Sequence, residues 1–234
     1  MGALTRDPEF LATTFVVIDF EATTPTGYPA QPVEVAALAL RYQDGAWTSV
    51  GRSTSLIRPP AFAPVTPAFT AQTGLTAEAL AQAPTPADAL GALDRRFTAD
   101  NRYLLVAQHA ATEANLIHHQ RHHCPTLAHV DLLDTIPLAK HLVPGLPNYK
   151  LDTILAHFSI AHPADRHRAP ADVDITAQVF FRLISAADDS PEINGLAEVV
   201  KIAGRTAKGN LPVQSELFDI EPPDRRELRG RNPW

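Results

Sequence analysis

The chain has 234 residues, of which 45% are hydrophobic and 20% are charged, and its formal net charge is −6 at pH 7. This composition is typical of a globular protein with a sizeable core, and it excludes the disordered and fibrous classes. The negative charge argues against a protein that coats nucleic acid through a broad basic surface. It is compatible with an enzyme that meets phosphate groups through metal ions, because carboxylates hold such ions.

Cysteine content and hydropathy indicate the compartment. The single cysteine, Cys124, excludes an intramolecular disulfide. The first ten residues, MGALTRDPEF, lack the basic and apolar regions of a signal peptide. We therefore expect a reducing, cytoplasmic setting. No apolar stretch approaches the about 18 to 20 residues that cross a bilayer, so we expect no membrane span.

Three strands are predicted first along the chain. Residues 14–20 are apolar and rich in β-branched side chains, which predicts a buried central strand. A second apolar run from Val33 leads to Asp44 and Gly45, a strong hairpin signal, before a third strand. Prolines interrupt the pattern over residues 59–67, and short helices with Thr or Pro near their starts follow.

Strands and helices alternate in the rest of the chain. YLLVAQ from Tyr103 and VDLLDT from Val130 predict strands, and TEANLIHHQRHH between them predicts a helix. A three-stranded meander followed by this alternation predicts an α/β fold, with a mixed five-stranded sheet flanked by helices. We expect a domain over residues 1–205 and a polar, partly ordered tail over residues 206–234. Further helices are predicted at about 136–142, 152–158, 172–187 and 193–204.

Two carboxylates, Asp19 and Glu21, stand at the end of the first predicted strand. Alternate residues of a strand face opposite ways, so both side chains point to the same side, where two anions repel unless a cation lies between them. The alternative is an ordinary strand end, in which Asp19 caps a turn and Glu21 is solvated.

Three further positions favour a metal site. Glu113 follows a predicted strand at the start of a helix, His167 lies in a loop, and Asp172 lies in the first turn of a long helix, whose dipole favours an anion. Sheet edges and helix starts can bring the four carboxylates together, and Mg²⁺ or Mn²⁺ takes oxygen ligands. Four carboxylates and one histidine therefore predict a two-metal site.

The order of DFE, AQHAATE, YKLDTILAHFSI and HRAPADVDITA resembles the DnaQ-like exonucleases of the DEDDh group, such as polymerase epsilon subunits and exodeoxyribonuclease X. The resemblance covers roughly residues 14–187 and implies a ribonuclease H-like fold. It implies that two ions, Mg²⁺ or Mn²⁺, act in a phosphodiester hydrolase. The implied activity is a 3′→5′ exonuclease that acts on single-stranded or frayed DNA 3′ ends in proofreading or repair and releases nucleoside 5′-monophosphates.

Position by position, the resemblance implies roles for five residues. Asp19 and Glu21 would be ligands from the first motif, Asp172 the ligand from the last, and His167 the general base. In the second motif the family usually has HNAxFD where this chain has QHAATE, so Glu113 takes the place of the expected aspartate. The extra methylene moves the carboxylate by about 1.5 Å and suggests an altered Mg²⁺/Mn²⁺ preference.

The resemblance also implies substrate contacts and leaves two alternatives open. Ala22 and Thr23 would lie against the terminal sugar, and His109 and Ala110 near the scissile end. A ribonuclease of the RNase T or oligoribonuclease kind would use the same site on RNA. The other alternative is a non-catalytic nucleic-acid or clamp-binding module.

Two other stretches suggest binding. QSELF, which contains Gln214, Leu217 and Phe218, resembles the peptide by which bacterial replication and repair proteins engage the sliding clamp, although ELF could equally pack back on the domain. HHQRHHC from His118 has histidines at i, i+4 spacing that could bind zinc, but the sequence has no second ligand pair at zinc-finger spacing. A polar helix surface is the favoured interpretation there.

Overall fold

A three-stranded antiparallel meander begins the sheet. The computed structural model describes residues 2–161 and 167–211, and its first strands are β1 (Thr13–Thr23), β2 (Gln31–Gln43) and β3 (Ala46–Leu56). Asp44 and Gly45, at the tip of the second hairpin, both have positive φ, 51° and 82°. Such a turn matches the twist of the flanking strands, which confirms the predicted hairpin.

The sheet order β3-β2-β1-β4-β5-β6 puts β1 near the centre. β4 (Arg102–Ala107) runs parallel to β1, β5 (Leu132–Asp134) runs parallel to β4, and β6 (Gly204–Arg205) pairs antiparallel with β5. The prediction of a mixed sheet flanked by helices is confirmed. The sixth strand was not predicted, because two residues are too few to show a sequence pattern.

Nine α-helices lie in the part of the chain that the structure describes. Three short ones begin at a threonine, Thr66, Thr76 or Thr85, whose hydroxyl accepts a hydrogen bond from the amide three residues later. The helices are α1 (Pro8–Ala12), α2 (Pro67–Thr73), α3 (Ala77–Ala81), α4 (Pro86–Asp94), α5 (Ala111–His119), α6 (Thr135–Leu142), α7 (Leu151–His157), α8 (Ala169–Asp188) and α9 (Leu196–Ala203).

The core has two layers, one on each face of the sheet. Phe15 and Val17 of β1 face the layer that contains Phe180 of the long helix α8. Val16 and Ile18 face the layer that contains α4 and α5. This alternation continues as far as Glu21, after which the register shifts, so Asp19 and Glu21 project on the α8 side.

Hydrogen bonds tie down the chain near both limits of the described residues. Asp188 of α8 accepts hydrogen bonds from the amides of Gly2 and Thr5. Asp131 accepts one from the Ala207 amide at 2.8 Å, and Asn210 contacts His129 and Asp131. None of the described helices combines the length and apolar character that crossing a bilayer requires.

Candidate active site

Three carboxylates from β1 and α8 converge at the end of the central strand. Oxygen atoms of Asp19, Glu21 and Asp172 all lie within 4.8 Å of one another. Asp19 and Glu21 are partly exposed, and Asp172 is buried, at 9% exposure. The convergence follows from the fold, because both strand residues face α8 and Asp172 lies in its first turn. We call these residues the carboxylate cluster.

A buried ion pair fixes the start of α8. The Glu34 side chain on β2 is 1% exposed and accepts hydrogen bonds from Arg168 Nη2 at 2.6 Å and Nε at 3.0 Å. It also accepts one from the Ala169 amide at 3.0 Å. Glu34 stands opposite Glu21 in the sheet, so the Arg168 charge offsets the repulsion between two facing carboxylates.

This ion pair determines where two site residues lie. His167 precedes Arg168, and Asp172 follows one turn later. Sequence reasoning did not identify Glu34 or Arg168 as part of the site. The available signal was an acidic residue inside the apolar run of β2, which requires a buried cationic partner.

Glu113 occupies a different environment from the carboxylate cluster. Its side chain, in the first turn of α5, is 4% exposed, and its Oε2 has no hydrogen-bond partner. Burial raises the Glu113 pKa to about 8. A backbone hydrogen bond lowers this pKa, and the charge of Asp134 raises it further. Among the described residues, the carboxylates whose oxygens lie within 4.8 Å of one another do not include Glu113. Without a nearby cation, this carboxyl is largely protonated at neutral pH.

Asp134 holds the loop that leads into α5. Its carboxylate accepts hydrogen bonds from the amides of His109 at 3.2 Å and Ala110 at 3.0 Å. It also caps α6 through the Ile136 amide at 2.9 Å. His109 is exposed with φ 65°, and Ala110 is completely buried. One buried carboxylate therefore fixes the second motif relative to α6.

His167 lies at the edge of the described chain, just after residues 162–166. It is exposed, has φ 64°, and its Nδ1 lies 3.4 Å from Nε2 of Gln72 on α2. Gln72 also lines a cavity that reaches Glu21. The predicted base therefore stands beside a residue of the cavity that adjoins the carboxylate cluster.

That cavity has a volume of about 780 Å³, within the range of about 300–1,000 Å³ typical of small-molecule sites. Ala22 and Thr23 line it next to Glu21, and α2 forms the opposite wall. The Thr23 hydroxyl is buried without a hydrogen-bond partner. His109 and Ala110 lie at the entry to α5 and are not among its described lining residues. The predicted clamp residues Gln214, Leu217 and Phe218 lie outside the described residues.

Sequence comparisons relate the chain to exonucleases and DNA polymerase III. Residues 16–180 match the RNase T family, described as exonuclease. The chain is 30% identical over 173 residues to DNA polymerase III subunit epsilon of Aquifex aeolicus, covering 73% of this chain and 80% of that protein. It is 26% identical over 170 residues to a PolC-type DNA polymerase III of Caldanaerobacter subterraneus, covering 73% of this chain but only 11% of the polymerase.

Comparison with solved structures concerns the fold. The nuclease domain of 3′hExo, described as a DEDDh family member bound to rAMP, superposes with a TM-score of 0.65 at 15% identity. The match covers 80% of this chain and 96% of that one. At such low identity the match establishes a shared architecture.

Proposed function

Because this chain belongs to the RNase T exonuclease family, we propose that it hydrolyses DNA from the 3′ end and releases nucleoside 5′-monophosphates in proofreading or repair. Its membership of the DnaQ-like group, its ribonuclease H-like fold and its class as a 3′→5′ exonuclease agree with the family resemblance of its sequence. The roles of individual residues belong to the proposal. Its substrate class is nucleic acid. The similarity to a subunit of a DNA polymerase supports DNA over RNA.

The carboxylate cluster carries this proposal. Three carboxylate oxygens within 4.8 Å form a set of hard ligands that suits a divalent cation. The buried Oε2 of Glu113, which has no hydrogen-bond partner, fits a fourth ligand. Asp19, Glu21, Glu113 and Asp172 would together hold two ions, Mg²⁺ or Mn²⁺. Such ions, when bound, lower the pKa of a coordinated water and neutralise charge on the phosphate.

Residues around the cavity would hold the 3′-terminal nucleotide. Ala22 and Thr23 line the cavity at Glu21, where they would lie against the terminal sugar. His109 and Ala110 would lie nearer the scissile end, where His109 is exposed. These contacts would place the last phosphodiester beside the carboxylate cluster.

His167 would take the proton from the attacking water. The oxygen and nitrogen of a glutamine amide exchange places by rotation, so Gln72 can present its oxygen to the Nδ1 proton of His167. The neutral ring then keeps its lone pair on Nε2, which is the form that a general base requires. Gln72 would therefore fix the tautomer of His167.

Digestion of matched oligonucleotides tests the activity and its substrate. DNA and RNA strands of the same sequence, single- and double-stranded and labelled at the 5′ end, are incubated with the protein and Mg²⁺, then Mn²⁺. We expect stepwise shortening of single-stranded DNA from the 3′ end, with mononucleotides as products. Faster digestion of RNA would favour the ribonuclease alternative, and a single internal cut would contradict an exonuclease.

Binding of the sliding clamp is a separate prediction for the tail. Gln214, Leu217 and Phe218 match a clamp-binding peptide, in which the two apolar side chains fill a pocket and the glutamine donates hydrogen bonds. Leu217→Ala combined with Phe218→Ala should weaken binding of the full chain to a bacterial clamp, measured by surface plasmon resonance. Equal binding by parent and variant would exclude the peptide as the contact.

A further inference from the structure

A groove lies on the sheet face that α4 and α5 cover, away from the carboxylate cluster. On β1 the groove is lined by Thr14 and Val16, whereas the carboxylate cluster begins further along the strand, at Asp19. The floor is apolar, with Val16 and Ala37, and three arginines line the groove, Arg41, Arg52 and Arg96. Arg52 forms an ion pair with Asp174. The cavity has a volume of about 270 Å³. We call it the arginine groove.

Arg41 and Arg96 keep their positive charge available for a ligand. Arg41 donates to the Thr14 hydroxyl at 2.9 Å and to the Asn101 amide oxygen at 2.6 Å. Arg96 donates to the backbone carbonyl of Arg52 at 3.0 Å. All three acceptors are neutral, and within residues 2–161 and 167–211 neither guanidinium contacts a carboxylate. An apolar floor beside two such groups suits an acidic ligand with an apolar body.

The size of the arginine groove favours side chains over a whole nucleotide. Its volume of about 270 Å³ lies just below the range of about 300–1,000 Å³ that encloses a complete small molecule. A peptide can instead insert one or two apolar side chains and leave its acidic groups at the rim. The occupant should therefore contain acidic and apolar residues close together in sequence.

The described chain ends beside the same surface. A second cavity of about 350 Å³ continues from the arginine groove towards His129 and Asp131. Asn210 is bound there, with its Oδ1 2.7 Å from His129 Nδ1 and its Nδ2 3.2 Å from Asp131 Oδ1. The next residue, Leu211, is the last one described. The two cavities share three wall residues, Phe97, Asn101 and Tyr103.

The tail sequence beyond Leu211 has the required chemistry. Residues 216–221, ELFDIE, comprise three acidic and three apolar residues, and residues 212–224 contain no lysine or arginine. We propose that the arginine groove binds this segment of the chain itself, with Phe218 on the apolar floor and acidic residues against Arg41 and Arg96. This docking is independent of the exonuclease reaction.

The distance from Leu211 to the arginine groove is short enough for the segment to span. Phe218 is seven residues after Leu211, and seven extended residues span about 23 to 25 Å. The tail leaves beside β5, and three strand spacings separate β5 from β2 in the sheet order, a distance of about 14 Å. The segment can therefore cross β4 and β1 with length to spare.

Tethering makes even a weak contact effective. A short linker gives the segment an effective concentration in the millimolar range, so a dissociation constant of about 1 mM suffices for substantial occupancy. Contacts between exposed charges weaken with salt. Because the segment includes Leu217 and Phe218, a sliding clamp that binds them would have to displace them from the arginine groove.

Disulfide trapping in the full chain tests the docking. Ser53 on β3 lines the far side of the arginine groove as seen from β5, and Ile220 follows Phe218 in the segment, so Ser53→Cys with Ile220→Cys, the groove pair, forms a disulfide in oxidised glutathione when the segment docks. The native thiol does not compete, because burial first, and then the charge of Asp94, raises the Cys124 pKa to about 12. The control pair, Ser185→Cys with Ile220→Cys, places the first cysteine on α8, across the sheet.

We expect the groove pair to form its disulfide at least about tenfold faster than the control pair, since docking raises the local concentration. Phe218→Asp, or Arg41→Gln with Arg96→Gln, should remove that advantage, as should high salt. Arg121→Gln, an exposed arginine outside the arginine groove, should leave it unchanged. Circular dichroism checks that each variant is folded.

Three results would overturn the proposal. The first is equal disulfide rates in the groove and control pairs. The second is a disulfide-linked dimer whose yield rises with protein concentration, which would assign the arginine groove to a second copy. The third is a groove-pair rate that falls on addition of single-stranded DNA but not with Phe218→Asp, which would assign it to nucleic acid.

Discussion

The carboxylate cluster and Glu113 contain the same chemical group in different environments. Oxygens of Asp19, Glu21 and Asp172 lie within 4.8 Å of one another at the exposed end of the central strand. Glu113 is 4% exposed, and burial raises its pKa to about 8. The first and last motifs thus hold their carboxyl groups together, whereas the second motif supplies a buried carboxyl that needs a cation to ionise at neutral pH. The burial of Glu113 therefore makes its negative charge depend on a nearby cation.

Removal of a cluster carboxylate should have the largest effect. Asp172→Asn keeps the shape of the side chain but removes an anionic ligand, so we expect kcat to fall by at least about 10³-fold. The control is Asp174→Asn, two residues later on α8, where the side chain forms a surface ion pair with Arg52. Release of labelled mononucleotides measures both. Activity of Asp172→Asn within tenfold of the parent would contradict the ligand assignment.

Substitution of Glu113 should have a smaller effect and sharpen the contrast. Glu113→Gln mimics the protonated carboxyl, so we expect kcat to fall by about 10²-fold, less than for Asp172→Asn. Glu113→Asp restores the residue usual in the family and should lower the Mg²⁺ concentration required for half-maximal activity. Titration with Mg²⁺ and Mn²⁺ measures this. An unchanged requirement in Glu113→Asp would show that the carboxyl does not contact a metal.

Disruption of the Glu34–Arg168 ion pair tests whether the position of the site residues matters apart from their charge. Arg168→Ala leaves Glu34, which is 1% exposed, without its partner, so we expect a loss of about 3 kcal/mol in the free energy of unfolding. Displacement of His167 and Asp172 should also lower kcat about tenfold. Denaturant unfolding and kinetics measure the two effects.

A double mutant and a surface variant complete that experiment. Glu34→Gln combined with Arg168→Ala removes the stranded charge, so it should recover part of the lost stability. Arg182→Ala, an exposed arginine on α8, should change neither stability nor rate. Full activity of Arg168→Ala would show that α8 is held in place by its apolar packing alone.

Asp188 is a carboxylate with satisfied hydrogen bonds, and it is a reference for the pKa shift of Glu113. Burial alone would raise the Asp188 pKa, but hydrogen bonds from the Thr5 and Gly2 amides and the Thr5 hydroxyl hold it below 3.8. Because the folded pKa is depressed, the stabilisation is present above 3.8 and is lost as the pH falls through the folded pKa. Asp188→Asn should cost about 1 kcal/mol at pH 7 and less in acid. Denaturant unfolding at pH 7 and pH 3 checks this, and a pH-independent difference would contradict it.

The sequence predicts the parts of the site that follow from local geometry. Alternation along β1 puts Asp19 and Glu21 on one face, and the helix dipole favours Asp172 in a first turn. The Glu34–Arg168 contact joins residues 134 positions apart, and local patterns do not contain such a pairing. The burial of Glu113 depends on how α5 packs against the sheet, which its helical periodicity alone does not fix.

The carboxylate cluster also makes the thermal stability of the protein a measure of its metal content. Three carboxylates within 4.8 Å repel one another in the folded chain and separate when it unfolds, so folding without a cation works against this repulsion. A divalent ion that binds only the folded state reverses the effect, and the melting temperature rises with the ion's concentration. A melting curve recorded without any nucleic acid therefore ranks Mg²⁺, Mn²⁺ and Ca²⁺ by affinity, separately from their ability to support hydrolysis.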